Sequence, residues 1–376
     1  MRIKYITNVR LPTSRAYGYA IMKMCSEFAK AGALVNLFVP ERKNNENKQD
    51  PFDVYGLEKN FKINKVKGFD LLGKTSKFGK FFYWIDILSF LLMSKSQVAL
   101  AFGDVLYTRD FITTLFFSKK YFMVLELHDI SSASFVFRVA LKRAKMFVVL
   151  NNNLKSDLVS MGVSPDRIFV SPSGVDINDF VVNESRTDLR VKLDLPQKDK
   201  IVLYTGQFYK WKGVDILAEA ARILPDITFV FVGGAEPEYS LFRAKYKNLK
   251  NVIVREFQDR KVVVSYLFVS DVLVIPNSGI SKISSRYTSP LKLFEYMTTR
   301  VPIVASDLSS LREILTEKEC VFAKPDSPED FARAIQEVFA QPKLVEELSL
   351  NAYVKVQQFT WDKRAKNILE VIQSWI

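Results

Sequence analysis

The sequence contains few residues that cross-link a fold or bind transition metals. Its 376 residues include one histidine and two cysteines, Cys25 and Cys320. Two cysteines so far apart form no disulfide framework, and the scarcity of cysteine and histidine argues against structural zinc. We therefore expect neither a disulfide-stabilised fold nor a zinc site.

Long apolar segments are also missing. No run of about 18 apolar residues occurs, and the nearest approach, residues 81–93, is interrupted by Asp86. The first residues, MRIKYITNVRL, lack the apolar core and cleavage site of a signal peptide. We therefore predict a cytoplasmic protein that does not span a membrane.

Acidic residues are outnumbered, and unevenly so. The chain carries 54 Lys and Arg against 41 Asp and Glu, which gives a formal net charge of +13. Residues 1–182 contribute +10 of this charge and residues 183–376 contribute +3. A positive first half predicts an anionic partner, which is a membrane surface, a nucleic acid or a phosphorylated substrate. No nucleic-acid reader motif is present, so we expect no nucleic acid.

The length and the apolar pattern predict two α/β domains. Residues 3–7, 19–31 and 34–39 read as strand, helix and strand, which is a βαβ unit with parallel pairing. A second series of buried strands and helices starts after Asn183. We predict two doubly wound, Rossmann-like domains, over residues 1–182 and 183–360, with residues 182–196 as the linker.

One literal motif is misleading. Residues 68–75, Gly-Phe-Asp-Leu-Leu-Gly-Lys-Thr, satisfy the nucleotide-triphosphate P-loop pattern. A working loop needs a buried strand before it and small residues that let amides converge on phosphate. Here the preceding segment is lysine-rich and the interior is bulky, so we predict a surface connection instead.

A better phosphate site follows the apolar strand at 201–204. Ligands of doubly wound sheets bind at the carboxyl ends of strands, and Gly206 there permits close backbone approach. Lys210 and Lys212 lie within reach of a diphosphate, although lysines on such a loop are often merely solvated. The sequence favours diphosphate binding at this loop.

A second element suited to phosphate begins near Pro290. Ser289 is the expected cap of a helix with Pro290 in its first turn, and its amides include those of Leu291 and Lys292. A helix N-terminus suits a diphosphate. Glu295, about a turn and a half further on, suits ribose hydroxyls, although an ordinary surface glutamate explains it equally well.

The ordered set of segments resembles glycosyltransferase family 4. The likeness extends over nearly the whole chain and includes a closing Phe-Thr-Trp at 359–361. It implies the GT-B architecture, with two Rossmann-like domains facing a central cleft and a terminal helix, 361–376, packed back on the first domain. The matching segments are Val149-Leu-Asn-Asn, Ser173-Gly-Val-Asp with Phe180, residues 206–213, Val232-Gly-Gly, Ser270-Asp-Val and Ser289-Pro-x-Lys-x-x-Glu.

The resemblance assigns roles to individual residues. Lys212 matches a basic residue that contacts the donor diphosphate, and Glu295 matches the glutamate that binds the ribose. His128, at the end of a predicted strand, matches a histidine that faces the donor sugar, so it is our candidate catalytic residue. On the acceptor side, the likeness indicates Tyr17 and Gly18. Ser289, Pro290, Leu291 and Lys292 match the amide-rich helix start near the phosphates.

Two positions depart from the family pattern. Gln207 stands where the family commonly has an arginine, and Lys210 is expected to supply that charge. Tyr287 stands where the family often has a glutamate, which affects sugar recognition. These departures leave a catalytically silent GT-B partner protein as an alternative. A sugar-nucleotide epimerase of GT-B fold is a second alternative.

The implied activity is retaining transfer of a hexose to a glycan or lipid-linked acceptor, in cell-surface polysaccharide or glycoconjugate synthesis. No Asp-x-Asp occurs, so we expect a metal-independent enzyme without a cofactor, for which a UDP- or GDP-sugar is the substrate. Residues 59–80 hold seven lysines against one acid and run into an aromatic stretch at 81–84. This pattern favours peripheral docking on an anionic membrane through residues 59–84. Its alternative is a buried helix beside a solvated loop.

Overall fold

The computed structural model describes residues 1–42, 49–71, 79–101, 103–130 and 134–376. The chain forms two compact units. The first comprises Met1–Pro172 together with Trp361–Ile376, and the second comprises Ser173–Thr360. Both are α/β units built on a parallel sheet.

The sheet of the first unit has seven parallel strands in the order β3-β2-β1-β4-β5-β6-β7. Ile3 of β1 lies opposite Val35 of β2 and Val105 of β4. Successive strands are therefore added first on one side of β1 and then on the other, and all of them remain parallel. Loops at such a switch point form ligand crevices. The strands are β1 (Arg2–Ile6), β2 (Leu34–Pro40), β3 (Lys62–Val66), β4 (Asp104–Thr108), β5 (Phe122–Leu127), β6 (Met146–Val149) and β7 (Ile168–Val170).

Helices cover this sheet, and the C-terminal one belongs to the same unit. The terminal helix, α15 (Trp361–Gln373), packs on α1 (Ala16–Lys30), where the rings of Tyr19 and Trp361 meet edge to face at 6.4 Å. Burial of Trp361, Ala365, Ile368 and Ile372 anchors α15 there. The other helices are α2 (Pro51–Tyr55), α3 (Gly79–Gln97), α4 (Thr113–Phe116), α5 (Phe135–Leu141) and α6 (Asn152–Ser160).

The second unit contains six parallel strands in the order β10-β9-β8-β11-β12-β13. Its central strands are continuous apolar runs that are buried on both faces, as parallel sheets require. The strands are β8 (Ile201–Gly206), β9 (Thr228–Gly233), β10 (Val252–Arg255), β11 (Val272–Ile275), β12 (Ile303–Ser306) and β13 (Val321–Ala323). The helices are α7 (Arg186–Lys192), α8 (Val214–Ile223), α9 (Glu238–Tyr246), α10 (Arg260–Val269), α11 (Leu291–Met297), α12 (Ser309–Arg312), α13 (Pro328–Ala340) and α14 (Pro342–Val356).

The predicted linker at 182–196 is an integral part of the second unit. It contains α7, on which Leu189 is buried. The buried Arg190 donates to the carbonyl oxygens of Val269, Pro196 and Asp199, which fixes the helix to the unit. The two units therefore divide at 172/173, ten residues before the predicted boundary at 182/183. The sequence suggested a linker because α7 buries only one narrow face, so most of its residues are polar.

The lysine-rich segment before the P-loop-like motif is also ordered. Residues 62–66 form β3, an edge strand whose lysines do not interrupt a buried layer. A Cβ at Gly68 would lie 3.2 Å from Ser89 Oγ on α3, so this glycine closes the connection against that helix. Residues 72–75 of the motif lie outside the described residues. Among the helices that are described, none is long and apolar enough to cross a bilayer.

Candidate functional site

In the second unit, glycines bring the ends of neighbouring strands close together. Gly206 ends β8 with φ +127°, and Gly233 ends β9 with φ +126°. A Cβ at Gly233 would overlap the carbonyl oxygen of Gly206, and a Cβ at Gly206 would lie 3.1 Å from Lys292 Nζ. A side chain at Gly233 would collide with the end of β8, and one at Gly206 would crowd Lys292. The predicted Gly206 thus lets the end of β8 lie close to the Lys292 amine.

The loop after β8 is fixed in one conformation. A helical turn, Lys210–Lys212, ends at Gly213, whose φ is +71° and whose Cβ would overlap the Pro276 carbonyl oxygen. Lys212 Nζ lies 4.0 Å from the centre of the Trp211 ring, and burial lowers the pKa of Lys212 to about 8. Lys210, on the same turn, is exposed.

Lys292 is the most unusual cation of this unit. Its side chain is only 8% exposed, and Nζ lies 3.6 Å above the centre of the Tyr204 ring. Nζ has no hydrogen-bond acceptor within the described part of the chain. Burial, followed by the nearby Lys212, holds the pKa of Lys292 well below its ordinary value. Gly206, Lys212 and Lys292 therefore lie close together, and the buried amine lacks the hydrogen-bond acceptor that an anionic ligand would supply.

The start of α11 differs from the prediction. Its N-cap is Pro290, with extended backbone, and no side chain caps the helix, so the assignment of Ser289 as the cap is wrong. Ser289 Oγ instead accepts from the Ser173 amide at 3.1 Å, and Ser173 Oγ donates to the Ser289 carbonyl at 2.8 Å. Serine at this position ties two loops together. The helix begins at Leu291, directly before Lys292.

Glu295 is neither exposed nor unpaired. Its side chain is 16% exposed, and Oε1 accepts from Arg260 Nη1 at 2.9 Å. Arg260 also stacks on the Phe180 ring at 5.4 Å and lies 3.7 Å from an Asp179 carboxylate oxygen. The ion pair with Arg260 therefore sets the direction of the Glu295 carboxylate. An ordinary surface glutamate has no such partner.

The two departures from the family pattern occupy different surroundings. The Gln207 carbonyl accepts from Tyr204 Oη at 2.7 Å, while its side-chain oxygen is buried without a donor among the described residues. Tyr287 is 1% exposed, and the Lys282 ammonium lies 5.2 Å from its ring centre. Tyr287 is thus a packed core residue, whereas Gln207 adds a polar group near Lys292.

Sequence reasoning missed Asn277. It follows β11, is fully buried, and neither side-chain atom, Oδ1 or Nδ2, has a partner among the described residues. A Cβ at Gly213 would lie 3.5 Å from the Asn277 amide nitrogen, which places Asn277 beside the Lys212 turn. Buried amides rarely lack partners, so we add Asn277 to the candidate site. One asparagine after a strand gives no usable signal in the sequence.

The first unit has a pocket of its own at the carboxyl ends of β4 and β5. Its volume is about 320 Å³, and the half-buried His128 and the exposed Tyr17 both line it. The predicted Gly18 lies elsewhere: its Cβ would overlap Tyr55 Oη and Thr13 Cγ2, so Gly18 serves helix packing. The other lining residues are Thr7, Val9, Ile21, Arg109, Asp110, Phe111, Glu126, Leu127, Asp129, Ile130 and Phe137.

A buried carboxylate that sequence reasoning also missed holds His128. Glu126 is fully buried, and its Oε1 lies 2.7 Å from His128 Nε2. Burial alone would raise the pKa of Glu126, but Arg109, Arg364 and His128 hold it well below its ordinary value. Its only signal in the sequence is one acid within the apolar strand FMVLEL. Over the described ranges, no three His, Cys, Asp or Glu side chains are grouped to hold a metal ion.

Comparison with known proteins identifies the family to which this chain is similar. The family model described as glycosyl transferases group 1 matches residues 185–373. D-inositol 3-phosphate glycosyltransferase of Jonesia denitrificans is 24% identical over 226 residues, which is 56% of this chain and 52% of that protein. Processive diacylglycerol alpha-glucosyltransferase of Acholeplasma laidlawii is 24% identical over 221 residues, 58% of this chain and 64% of that protein. The matches thus span about half to two thirds of these relatives.

A solved structure extends the likeness to the whole chain. The structure of Anabaena HepE in complex with UDP-glucose superposes with a TM-score of 0.74 at 16% identity, and the match covers all of both chains. At so low an identity, the superposition establishes the fold alone, and it confirms the predicted GT-B class. The family model matches half of the sequence, which also confirms the predicted family. The chain belongs to the glycosyl transferases group 1 family.

Proposed function

We propose that this protein is a retaining, metal-independent hexosyltransferase that uses a nucleotide-sugar donor, with UDP- or GDP-sugars preferred. The acceptor is a glycan or a lipid-linked molecule in cell-surface polysaccharide or glycoconjugate synthesis. The observation that supports this best is the buried Lys292 amine, which has no partner among the described residues and lies beside Gly206 and Lys212. An anionic ligand satisfies this amine, and a diphosphate matches two neighbouring lysines.

The departing nucleoside diphosphate carries the developing negative charge of the reaction. Lys212, Lys292 and the amides at Leu291 stabilise that charge where it forms. Lys210 adds a solvated positive charge on the same turn. Glu295, aimed by Arg260, accepts hydrogen bonds from the ribose. His128 and Tyr17 line the first-unit pocket, where they contact the transferring sugar and the acceptor.

A thermal screen with UDP-, GDP- and ADP-sugars tests the donor. A nucleotide that binds only the folded protein raises the free energy of unfolding, by about 2.7 kcal/mol at a concentration of a hundred times Kd. The melting temperature rises accordingly. Product analysis with and without acceptor then separates transfer from epimerisation. If no nucleotide stabilises the protein and no sugar nucleotide is hydrolysed, the silent-partner alternative gains and our proposal fails.

Binding of UDP is expected to weaken as the pH rises through 8. The pKa of Lys212 is about 8 and that of Lys292 is also lowered, so raising the pH removes positive charge from the free site. If only protonated Lys212 binds, the apparent Kd rises about tenfold between pH 7 and pH 9. The phosphates of UDP complete their ionisation near pH 6 and do not contribute over this range. Calorimetric titration measures the trend.

Lys212→Arg is the matched control for this experiment. Arginine stays protonated throughout the range, so the variant should lose most of the pH dependence. A wild-type Kd that is constant from pH 7 to pH 9 would contradict the assignment of Lys212 to the diphosphate.

We also propose that the first unit docks on an anionic membrane, and we define the docking surface as Phe69, Phe81, Trp84, Leu88 and Leu92. Four of these lie on α3 at the spacing of one helix face, and all five are at least 43% exposed. Phe69 lies close to α3, because its amide donates to Ser89 Oγ at 2.9 Å. The exposed Lys67 lies in the connection that contains Phe69, and the exposed Lys95 lies on α3. A lipid surface accommodates both the apolar stripe and these cations.

Flotation with vesicles tests the docking surface. Replacing both Trp84 and Leu88 with serine should reduce flotation by at least about tenfold, since each exposed side chain contributes about 1.5–3 kcal/mol on insertion. The matched control is Ile223→Ser with Leu241→Ser, which removes two exposed apolar side chains from the second unit. Vesicles of phosphatidylcholine with phosphatidylserine should retain more protein than phosphatidylcholine alone. Equal flotation on both vesicles, or for both variants, would overturn the proposal.

A further inference from the structure

The fully buried carboxylate of Glu126 is surrounded by donors. Its Oε1 accepts from Arg109 Nη2 at 2.9 Å and from Arg364 Nη2 at 3.0 Å, and it lies 2.7 Å from His128 Nε2. Its Oε2 accepts from Tyr107 Oη. Four donors on one carboxylate leave it little freedom to move. The position and charge of Glu126 are therefore fixed by the structure around it.

This contact determines which nitrogen of His128 carries the proton. Glu126 is ionised and can only accept, so His128 Nε2 is the donor in their hydrogen bond. Burial and the charge of Arg109 lower the pKa of His128 against the opposing effect of Glu126. The imidazole is thus neutral near pH 7 and keeps Nδ1 as an acceptor. An acceptor nitrogen suits a hydroxyl in the pocket that His128 lines.

The terminal helix supplies one of the two guanidinium groups. Arg364 on α15 is 5% exposed, and its Nε donates to the Pro172 carbonyl at 2.8 Å while Nη2 reaches Glu126. It is separated from Glu126 by 238 residues in sequence. Without Arg364, the carboxylate would lose a donor and the histidine would lose a nearby positive charge. The last helix therefore contributes to the surroundings of His128 as well as to the core.

We propose that Glu126 is a positioning residue for His128, and that Arg364 makes the terminal helix part of that site. This inference rests on the proposed role of His128 in sugar transfer. Among the described residues, the charged and titratable groups around the histidine are Arg109, Glu126, Asp110, Asp129 and Tyr17, which line its pocket, and Arg364 and Tyr107, which donate to Glu126. Two guanidinium groups share one carboxylate here, which keeps the imidazole neutral.

Nitrogen NMR of the full chain provides a direct test, because His128 is the only histidine and its signals need no assignment. The wild-type protein should show the Nε2–H tautomer and a pKa below 6.5. Glu126→Gln removes the negative charge and should lower the pKa of His128 further. Arg364→Met removes a positive charge and should raise it. Each shift should be about half a pH unit or more.

Arg364→Lys is the matched control, since it keeps the charge and should leave the pKa of His128 near the wild-type value. It also keeps the test decisive if Glu126→Gln fails to fold, because the two Arg364 variants differ mainly in charge. An Nδ1–H tautomer, or one pKa shared by wild type, Arg364→Met and Arg364→Lys, would overturn the proposal. A side chain that serves stability alone would not move this pKa.

Kinetics then connect the network to transfer. Arg364→Met should lower kcat at least about threefold with an unchanged KM for the sugar nucleotide, whereas Arg364→Lys should retain most of kcat. The NMR result does not depend on activity. If the pKa shifts occur but no sugar is transferred by any variant, the positioning network stands and the proposed function fails. If sugar is transferred but no variant shifts the pKa of His128, the proposed function stands and the positioning network fails.

Discussion

Lys292→Met is expected to stabilise the unliganded protein and to weaken its binding of UDP. The Lys292 amine is buried and has no hydrogen-bond acceptor among the described residues, a situation that costs about 1–3 kcal/mol. The ring of Tyr204, 3.6 Å away, offsets only part of this cost. Methionine fills similar space without the polar group, so the melting temperature should rise by a few degrees.

Affinity should change in the opposite direction. A hydrogen bond from an ammonium to a diphosphate contributes about 1.5–3 kcal/mol, so its loss should raise the Kd for UDP by about 10- to 100-fold. Differential scanning calorimetry and isothermal titration measure the two quantities on the same sample. A variant that is more stable but binds its ligand more weakly is typical of a site that keeps a polar group unsatisfied until the ligand binds.

Lys247→Met is the matched control, because Lys247 is an exposed lysine of the second unit. It should change neither the melting temperature nor the Kd appreciably. A Lys292→Met protein that melts lower and binds UDP with wild-type affinity would show that Lys292 is structural. The diphosphate site would then have to lie elsewhere.

The sequence predicted the two α/β units because parallel strands buried on both faces are continuous apolar runs. β8 is such a strand, and it lies over the residues 201–204 that the pattern predicted. β3 was missed because an edge strand tolerates polar side chains at three of its five positions, and β13 because three residues give no periodicity. The pattern along the chain thus reports burial on both faces more reliably than it reports strand pairing.

The candidate site was predicted in part, for a related reason. Gly206, Lys212 and Lys292 were found because strand ends and helix starts can be read from local sequence. Asn277 and Glu126 were missed because their significance depends on partners far away in the chain. Arg364, 238 residues after Glu126, is the clearest case, since no local pattern links the two. Ser289 was assigned as a cap from local rules, and a tertiary contact with Ser173 took precedence.

His128→Ala is expected to lower turnover by at least about tenfold while leaving UDP binding nearly intact. A tenfold loss is about 1.4 kcal/mol of transition-state stabilisation, a modest demand on a hydrogen bond to the transferring sugar. The fold should tolerate the change, because Glu126 keeps Arg109, Arg364 and Tyr107 as donors. The nucleotide contacts proposed above are made by Lys212 and Lys292 of the second unit, so the Kd should not change.

His128→Gln separates the imidazole from a generic polar side chain. Its amide can still donate to Glu126, yet it lacks the fixed Nδ1 acceptor, so turnover should stay closer to that of His128→Ala than to wild type. Steady-state kinetics with saturating acceptor give kcat, and titration with UDP gives the Kd. Wild-type turnover in both variants would remove His128 from the site. A lost affinity for UDP with unchanged kcat would place the nucleotide, and not the sugar, beside this histidine.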